Sequence, residues 1–357
     1  MDKPVYKAVY LYLTHACDSN CSFCYRKGFF ERNDVKKLGP TFMTKERAFE
    51  ILDYCFSELD LDPNFCVYFW GGEPLLNLPV IKAVMEKYPQ LQYHTNTAGK
   101  PVTEEMYNWL VKQKNLGITW SLGNAYEKYG SVQKKCEGQP WMWKLVKEVK
   151  KHNVNLMVVQ YDQLEQDYDF LLNNVTRSIT IDIATRFEHK NEDLERFADE
   201  YVALLVKYRS DPAVFKHLTP AIFSNKYTEE KGFKSQIEKF HFCKSGLERL
   251  FIDMNGDIWQ CDNMYVCQHN KLGDIFTGMD YSRLDYMREI DANREKYLGK
   301  YCEKCELYGK CSRNKCLGLN LEHMGDMLIP EPAYCKMNKI LNKIVVKYIE
   351  LEKQGKE

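Results

Sequence analysis

Alternating apolar residues over 5–14 (VYKAVYLYLT) predict a β-strand, and 44–59, opened by Thr44 with Glu46 behind it, predicts a helix. The same exchange repeats along the chain. Short apolar runs at 65–70, 91–96, 117–122, 154–160 and 178–184 predict five more strands, each separated from the next by a helix-length segment. Helical patterns at 79–87, 103–114, 141–152, 164–173 and 191–208 supply the crossovers, so six βα units are expected. The expected class is α/β, with a parallel sheet open or curved into a partial (β/α)6 barrel.

After residue 208 the rhythm breaks in SDPAVFKHLTPAIFSNKYTEEKG, which carries two prolines and loop residues. The expected organisation is a barrel over 1–225, a linker over 226–240 and a second domain over 241–357. That last part shows one hairpin, 250–253 with 258–261 around Asn255-Gly256, then loops and short helices that need metal staples to fold. The tail, 336–354, reads as a Lys-rich amphipathic helix with a solvated face.

Composition narrows the function. The 357 residues hold 50 Lys and Arg against 50 Asp and Glu, so no net positive field favours nucleic acid or an anionic membrane. No run nears the ~20 apolar residues of a membrane span, and the start reads as a strand running into cysteines rather than a signal peptide. Aromatics make up 13% without basic interleaving, which suits a core or a substrate cleft and not a nucleic-acid platform. The 14 cysteines suggest disulfides in an exported chain and metal or cluster ligands in a reduced cytoplasm.

Spacing points to ligands. CDSNCSFC places Cys17, Cys21 and Cys24 as C-x3-C-x2-C on a loop after the first strand. Three thiolates there can hold three irons of a [4Fe–4S] cluster and leave the fourth open; a zinc site short of a ligand, or free thiols, are the alternatives. With Phe23 before the third cysteine and Gly71-Gly72-Glu73-Pro74 after the second strand, the sequence resembles the radical S-adenosylmethionine (SAM) superfamily. The resemblance implies a TIM-like partial barrel. It also implies a cluster whose open iron chelates SAM, and a 5′-deoxyadenosyl radical that abstracts hydrogen from a substrate. Polar residues at strand ends, Thr95, Asn96, Ser121, Gln160 and Arg186, would meet at one mouth. The resemblance assigns SAM to Phe23, Gly71, Gly72, Glu73, Pro74, Thr95, Asn96, Ser121 and Gln160. The glycines would let backbone approach its methionine moiety, and Glu73 or nearby backbone would accept from its ammonium.

The last third resembles the SPASM extension of peptide-modifying radical SAM enzymes, through Cys243, the Asn-Gly turn, Cys261 and Cys302-x2-Cys305-x5-Cys311-x4-Cys316 with Cys335 beyond. The resemblance implies two auxiliary [4Fe–4S] clusters, three in all. Cys302, Cys305, Cys311 and Cys335 would hold one, and Cys243, Cys261 and Cys316 the other, with Cys267 its fourth ligand or its iron left open. A zinc-ribbon-like pair is the alternative. The x4 spacing departs from the usual x3, and strand four reads Ser121-Leu122-Gly123-Asn124 where relatives have an acid. Asp162 or Asp182 could replace that acid. Cys136, in a loop after strand four, falls near the mouth, whereas Cys55 and Cys66 read as small buried apolar residues.

The expected protein is a radical SAM enzyme that crosslinks or oxidises a residue of a peptide or protein. A sulfatase-type maturase, a small-molecule dehydrogenase, and a non-catalytic iron–sulfur carrier are the rival readings. Nothing before Val5 is long enough for a leader-binding domain, so a separate recognition protein or direct capture in the cleft is expected. A flavodoxin or ferredoxin donor and an anaerobic bacterial cytoplasm follow from the oxygen sensitivity of such clusters.

Overall fold

The computed structural model describes residues 3–19, 21, 23–24, 26, 39–123, 131–149, 152–158, 161–175, 178–184, 189–218, 243–293, 296–297, 301–307 and 316–354. Six parallel strands lie side by side in chain order: β1 (Val5–Thr14), β2 (Asp60–Gly71), β3 (Gln92–Thr97), β4 (Leu116–Gly123), β5 (His152–Val158) and β6 (Ile179–Ile183). Between them run α1 (Lys45–Glu58), α2 (Leu78–Lys87), α3 (Glu104–Leu110), α4 (Val132–Glu137), α5 (Pro140–Glu148) and α6 (Leu164–Asn174). Helices α7 (Asn191–Tyr208) and α8 (Pro212–Leu218) follow β6. The expected α/β architecture is present.

Local chemistry sets these elements. Thr44 caps α1 by accepting from the Arg47 N–H, and Ala48, Ile51, Leu52 and Cys55 bury one stripe of that helix. Two boundaries differ from the sequence pattern. Strand β2 begins at Asp60, through the polar DLDPN, because a register shift opposite Tyr6 and Ala8 accommodates Pro63. The helix expected over 141–152 is α5, which Pro140 opens and which ends at Glu148, and an additional short helix, α4, starts after Ser131 and ends at Gly138. His152 already belongs to β5, and Cys136 sits in α4 rather than in a loop.

The chain then returns to the sheet on its other side. Strand β7 (Arg249–Ile252) pairs in parallel with β1, and β8 (Asp257–Trp259), β9 (Lys271–Asp274) and β10 (Gly278–Met279) add antiparallel strands. The expected hairpin about Asn255-Gly256 is β7–β8. It extends the sheet of the six parallel strands, giving the order β10-β9-β8-β7-β1-β2-β3-β4-β5-β6. Around it pack α9 (Asp262–Val266), α10 (Asp285–Ala292), α11 (Leu317–Met324) and α12 (Pro332–Gln354), the last against α7. The expected linker, 226–240, lies outside the described residues, and among those residues no helix is long and apolar enough to cross a membrane.

The sheet has two unlike faces. Along β4, Leu116, Ile118 and Trp120 are buried in the core, while Gly117, Thr119 and Ser121 alternate with them, half-buried. Trp120 has no accessible surface, so Trp120→Ala should cost about 3–5 kcal/mol in urea denaturation. The solvated Phe276, 68% exposed, should cost about 1 kcal/mol or less when cut to Ala.

Candidate functional site

The strand ends build a cavity of about 310 Å³ at the carboxyl edge of β2, β3, β4 and β5. Its wall holds Cys17, Cys21, Phe23 and Cys24 from the loop after β1, and Gly71, Gly72, Glu73 and Pro74 after β2. Asn96 and Ser121 complete the sequence-predicted set, joined by Ser19, Trp70, Thr97, Ala98, Gly123 and Asn155. Thr95 is not in this wall: alternation puts it in the buried layer, where its hydroxyl donates to the Phe69 carbonyl at 3.2 Å. Gln160 and Arg186 lie outside the described residues.

Backbone contacts tie the two loops together. The Gly72 N–H donates to the Thr14 carbonyl at 2.8 Å, and the Glu73 N–H to the Ala16 carbonyl at 2.9 Å. Gly71 has φ +144°, and a side chain there would strike the Thr14 carbonyl; one on Gly72 would strike the Ala16 carbonyl and the Arg26 guanidinium. The glycines therefore serve the packing of GGEP against the cysteine loop itself. Arg26, buried, stacks over Tyr12 at 5.2 Å and donates to the His15 carbonyl at 3.1 Å, and the Lys100 ammonium donates to the Asp18 carbonyl.

Glu73 has a structural task. Its carboxylate accepts from the Thr97 hydroxyl at 2.8 Å, the Ala98 N–H at 3.0 Å and the Leu75 N–H at 3.2 Å. It thereby ties the GGEP turn to the end of β3. Burial pushes its pKa up to about 7 despite those donors. Behind β4, Lys135 is also buried; its ammonium donates to the Ser121 carbonyl at 3.3 Å, and burial lowers it to about 8. It stands within electrostatic reach of Cys21, Glu73 and Asp18. No sequence signal marked it, because KKC reads as a charged surface turn.

The donor set fits an iron–sulfur cluster. Among the described residues no three metal-ligating side chains converge as they would on one ion, whereas the three thiols of the C-x3-C-x2-C loop border one open space. Burial pushes the Cys17 thiol up to about 11, so ligation there must displace a proton.

A second cysteine group stands in the C-terminal part of the chain. Cys243, Cys261 and Cys316 stand within electrostatic reach of one another, and burial raises Cys261 well above an ordinary thiol and Cys316 to about 11. Asn263 donates to the Cys316 sulfur at 3.3 Å, while the Cys267 thiol points to the Gly318 carbonyl at 3.7 Å. Cys305 and Cys335 both lie near the Lys339 ammonium, the Cys305 N–H donates to the Cys302 carbonyl, and Cys311 is outside the described residues. Cys136 is fully buried, and burial pushes its thiol up to about 12, so it does not face the cavity as a reactive group. Cys55 is buried and Cys66 half-buried inside β2, as small apolar residues. Asp162 is exposed in a 3-10 turn and Asp182 lies in β6; neither borders the cavity. Asp262, beside Cys261, lines a second cavity of about 170 Å³ that shares Trp70 with the first.

No protein-family model matches the chain. The radical SAM cyclopropyl synthase TigE of Paramaledivibacter caminithermalis is 22% identical over 97% of this chain and 75% of its own. Among solved structures, anSMEcpe with bound AdoMet (SAM) and the Cp18Cys peptide matches with TM-score 0.65 and 15% identity, over 97% of this chain and 99% of that one. SuiB of Streptococcus suis, bound to its precursor peptide SuiA, matches with TM-score 0.60 and 18% identity, over 92% and 76%. The chain has the radical SAM fold. The resemblance drawn from the cysteine loop and the GGEP turn agrees with a radical SAM relative in sequence and with these structures in fold.

The Glu73 tie carries a pH signature. Its folded pKa of about 7 lies above its ordinary 4.5, so the folded state holds the proton more tightly and Glu73 favours folding most below about pH 4.5. That contribution falls as pH rises to about 7. Glu73→Gln does not titrate, so its stability relative to wild type should improve between about pH 5 and pH 7.5 in urea denaturation; a constant difference would refute the assignment.

Proposed function

We propose that the protein is a radical SAM enzyme acting on a peptide or protein residue, forming a crosslink (thioether or carbon–carbon) or an oxidised product. The observation that carries this reading is the single cavity shared by Cys17, Cys21 and Cys24 with the GGEP turn and the polar ends of β3, β4 and β5. With a [4Fe–4S] cluster bound, the site supplies one-electron cleavage of SAM to a 5′-deoxyadenosyl radical. Cys17, Cys21 and Cys24 would be the ligands. Asn96, Ser121 and Asn155 offer donors and acceptors to the polar parts of SAM, and Phe23 and Trp70 offer apolar surface. Glu73 and Arg26 hold the loop in place from behind.

The C-terminal cysteines supply the rest of the reading. Cys243, Cys261 and Cys316, with or without Cys267, form one auxiliary cluster set, and Cys302, Cys305, Cys311 and Cys335 the other, across domains at 1–225 and 241–357. The precursor-peptide and substrate-peptide complexes of SuiB and anSMEcpe support a peptide substrate. Asp262, between Cys261 and the Trp70 wall, is a carboxylate placed to accept a proton from that substrate. A flavodoxin or ferredoxin in an anaerobic cytoplasm would supply electrons. A simple electron carrier is disfavoured, because it has no use for a 310 Å³ cavity beside three thiols.

Anaerobically reconstituted protein, reduced in the presence of SAM, should release 5′-deoxyadenosine, and iron should fall from about twelve to about eight per chain when Cys17, Cys21 and Cys24 are all changed to Ala. Absence of 5′-deoxyadenosine from fully loaded protein would remove the enzyme reading. Stoichiometric zinc would remove the auxiliary clusters.

A further inference from the structure

The second cavity lies on the far side of Trp70 from the SAM candidate site and has its own chemistry. Its walls are largely apolar, from Tyr10, Trp70, Leu250 and Phe251, with Arg249 and Asp262 as its charged members. Arg249 stands on β7 opposite Ala8 of β1, exposed, within electrostatic reach of Tyr10 and Tyr68. Tyr10 and Tyr68 stack at 4.5 Å and Trp70 meets Tyr10 edge-on at 5.4 Å, so the cation stands beside an aromatic shelf.

Among the described residues no carboxylate stands in ion-pair contact with Arg249. A negative group is drawn to Arg249, whose planar donors match a carboxylate in pairs. We propose that this cavity is a substrate subsite in which Arg249 anchors a carboxylate, either an acidic side chain or the C-terminal carboxylate of a peptide. The adjoining part of the substrate then passes Trp70 toward the neighbouring cavity. That second statement rests on the radical SAM reading; the carboxylate anchor rests on the geometry of the subsite itself.

Three probes separate the sources of the carboxylate: N-acetyl-glutamate N-methylamide, N-acetyl-glutamine N-methylamide, and N-acetyl-glutamine with a free terminal carboxylate. Binding is followed by ligand-observed NMR titration on anaerobically reconstituted wild type, Arg249→Gln and Arg249→Lys, with SAM present. At least one carboxylate probe should bind wild type ten-fold or more tightly than the neutral amide, and which one does identifies the source. Arg249→Gln should abolish that preference and Arg249→Lys should keep part of it. Equal binding of the three probes, no detectable binding of either carboxylate, or a preference that survives in Arg249→Gln would overturn the anchor. The comparison of probes on wild type needs no variant to fold. Failure of wild type to cleave SAM would remove the radical reading and leave this measurement valid, whereas loss of the preference in a protein that cleaves SAM would remove the anchor alone.

Discussion

The seam between the first two strand-end loops governs the rest of the site. Three thiols on one loop are useful only if that loop keeps a fixed shape, and a loop after an isolated strand has little to fix it. Here the GGEP turn supplies the constraint, with backbone hydrogen bonds from Gly72 to Thr14 and from Glu73 to Ala16, an approach that the missing side chains of Gly71 and Gly72 permit. Glu73 then extends the restraint to β3 through Thr97 and Ala98. Three consecutive strand ends are thereby locked to one another, and the cavity they enclose inherits their rigidity.

A second constraint comes from the return of the chain to β1. β7 pairs with β1 in parallel and β8 with β7 antiparallel, and α9, which follows Cys261, packs its Tyr265 against Tyr12 and His15 beside the cysteine loop. The junction is an aromatic pile: Tyr12 packs on His15, Phe251 and Tyr265, and the Tyr265 hydroxyl lies 3.3 Å from His15 Nε2. Burial lowers His15 to about 4, so the imidazole at this junction is neutral and packs as an aromatic. The two cysteine-rich ends, some 220 residues apart in sequence, thus share one wall.

Much of this was legible in the chain. Period-two and period-3.6 patterns located all six parallel strands and α7 with its bounds, because each buries one face against a large core and so keeps its apolar alternation. What escaped had no local signal. The polar start of β2 is a strand only because β1 lies beside it, and α4 is two turns of charged residues whose Lys135 and Cys136 are buried by tertiary packing alone. At the site, the Cys17, Cys21 and Cys24 loop, GGEP, Asn96 and Ser121 were visible from spacing and strand ends. Thr95 was misplaced by one step of strand alternation, and Trp70, Asn155, Arg249 and Asp262 became evident only once the register of neighbouring strands was fixed.

Burial sets the charge that these sites carry. Burial favours neutral thiols at Cys17, Cys261 and Cys316, and it also favours a protonated Glu73 and a deprotonated Lys135 relative to their values in water. These shifts reduce the charge that a cavity of low local dielectric must carry. Ligation that strips protons from the three loop thiols would place negative charge there, and the Lys135 ammonium behind Ser121 is positioned to offset part of it. On the other side of Trp70, the Cys261 group faces the same problem, with Arg249 as the cation of the adjoining cavity.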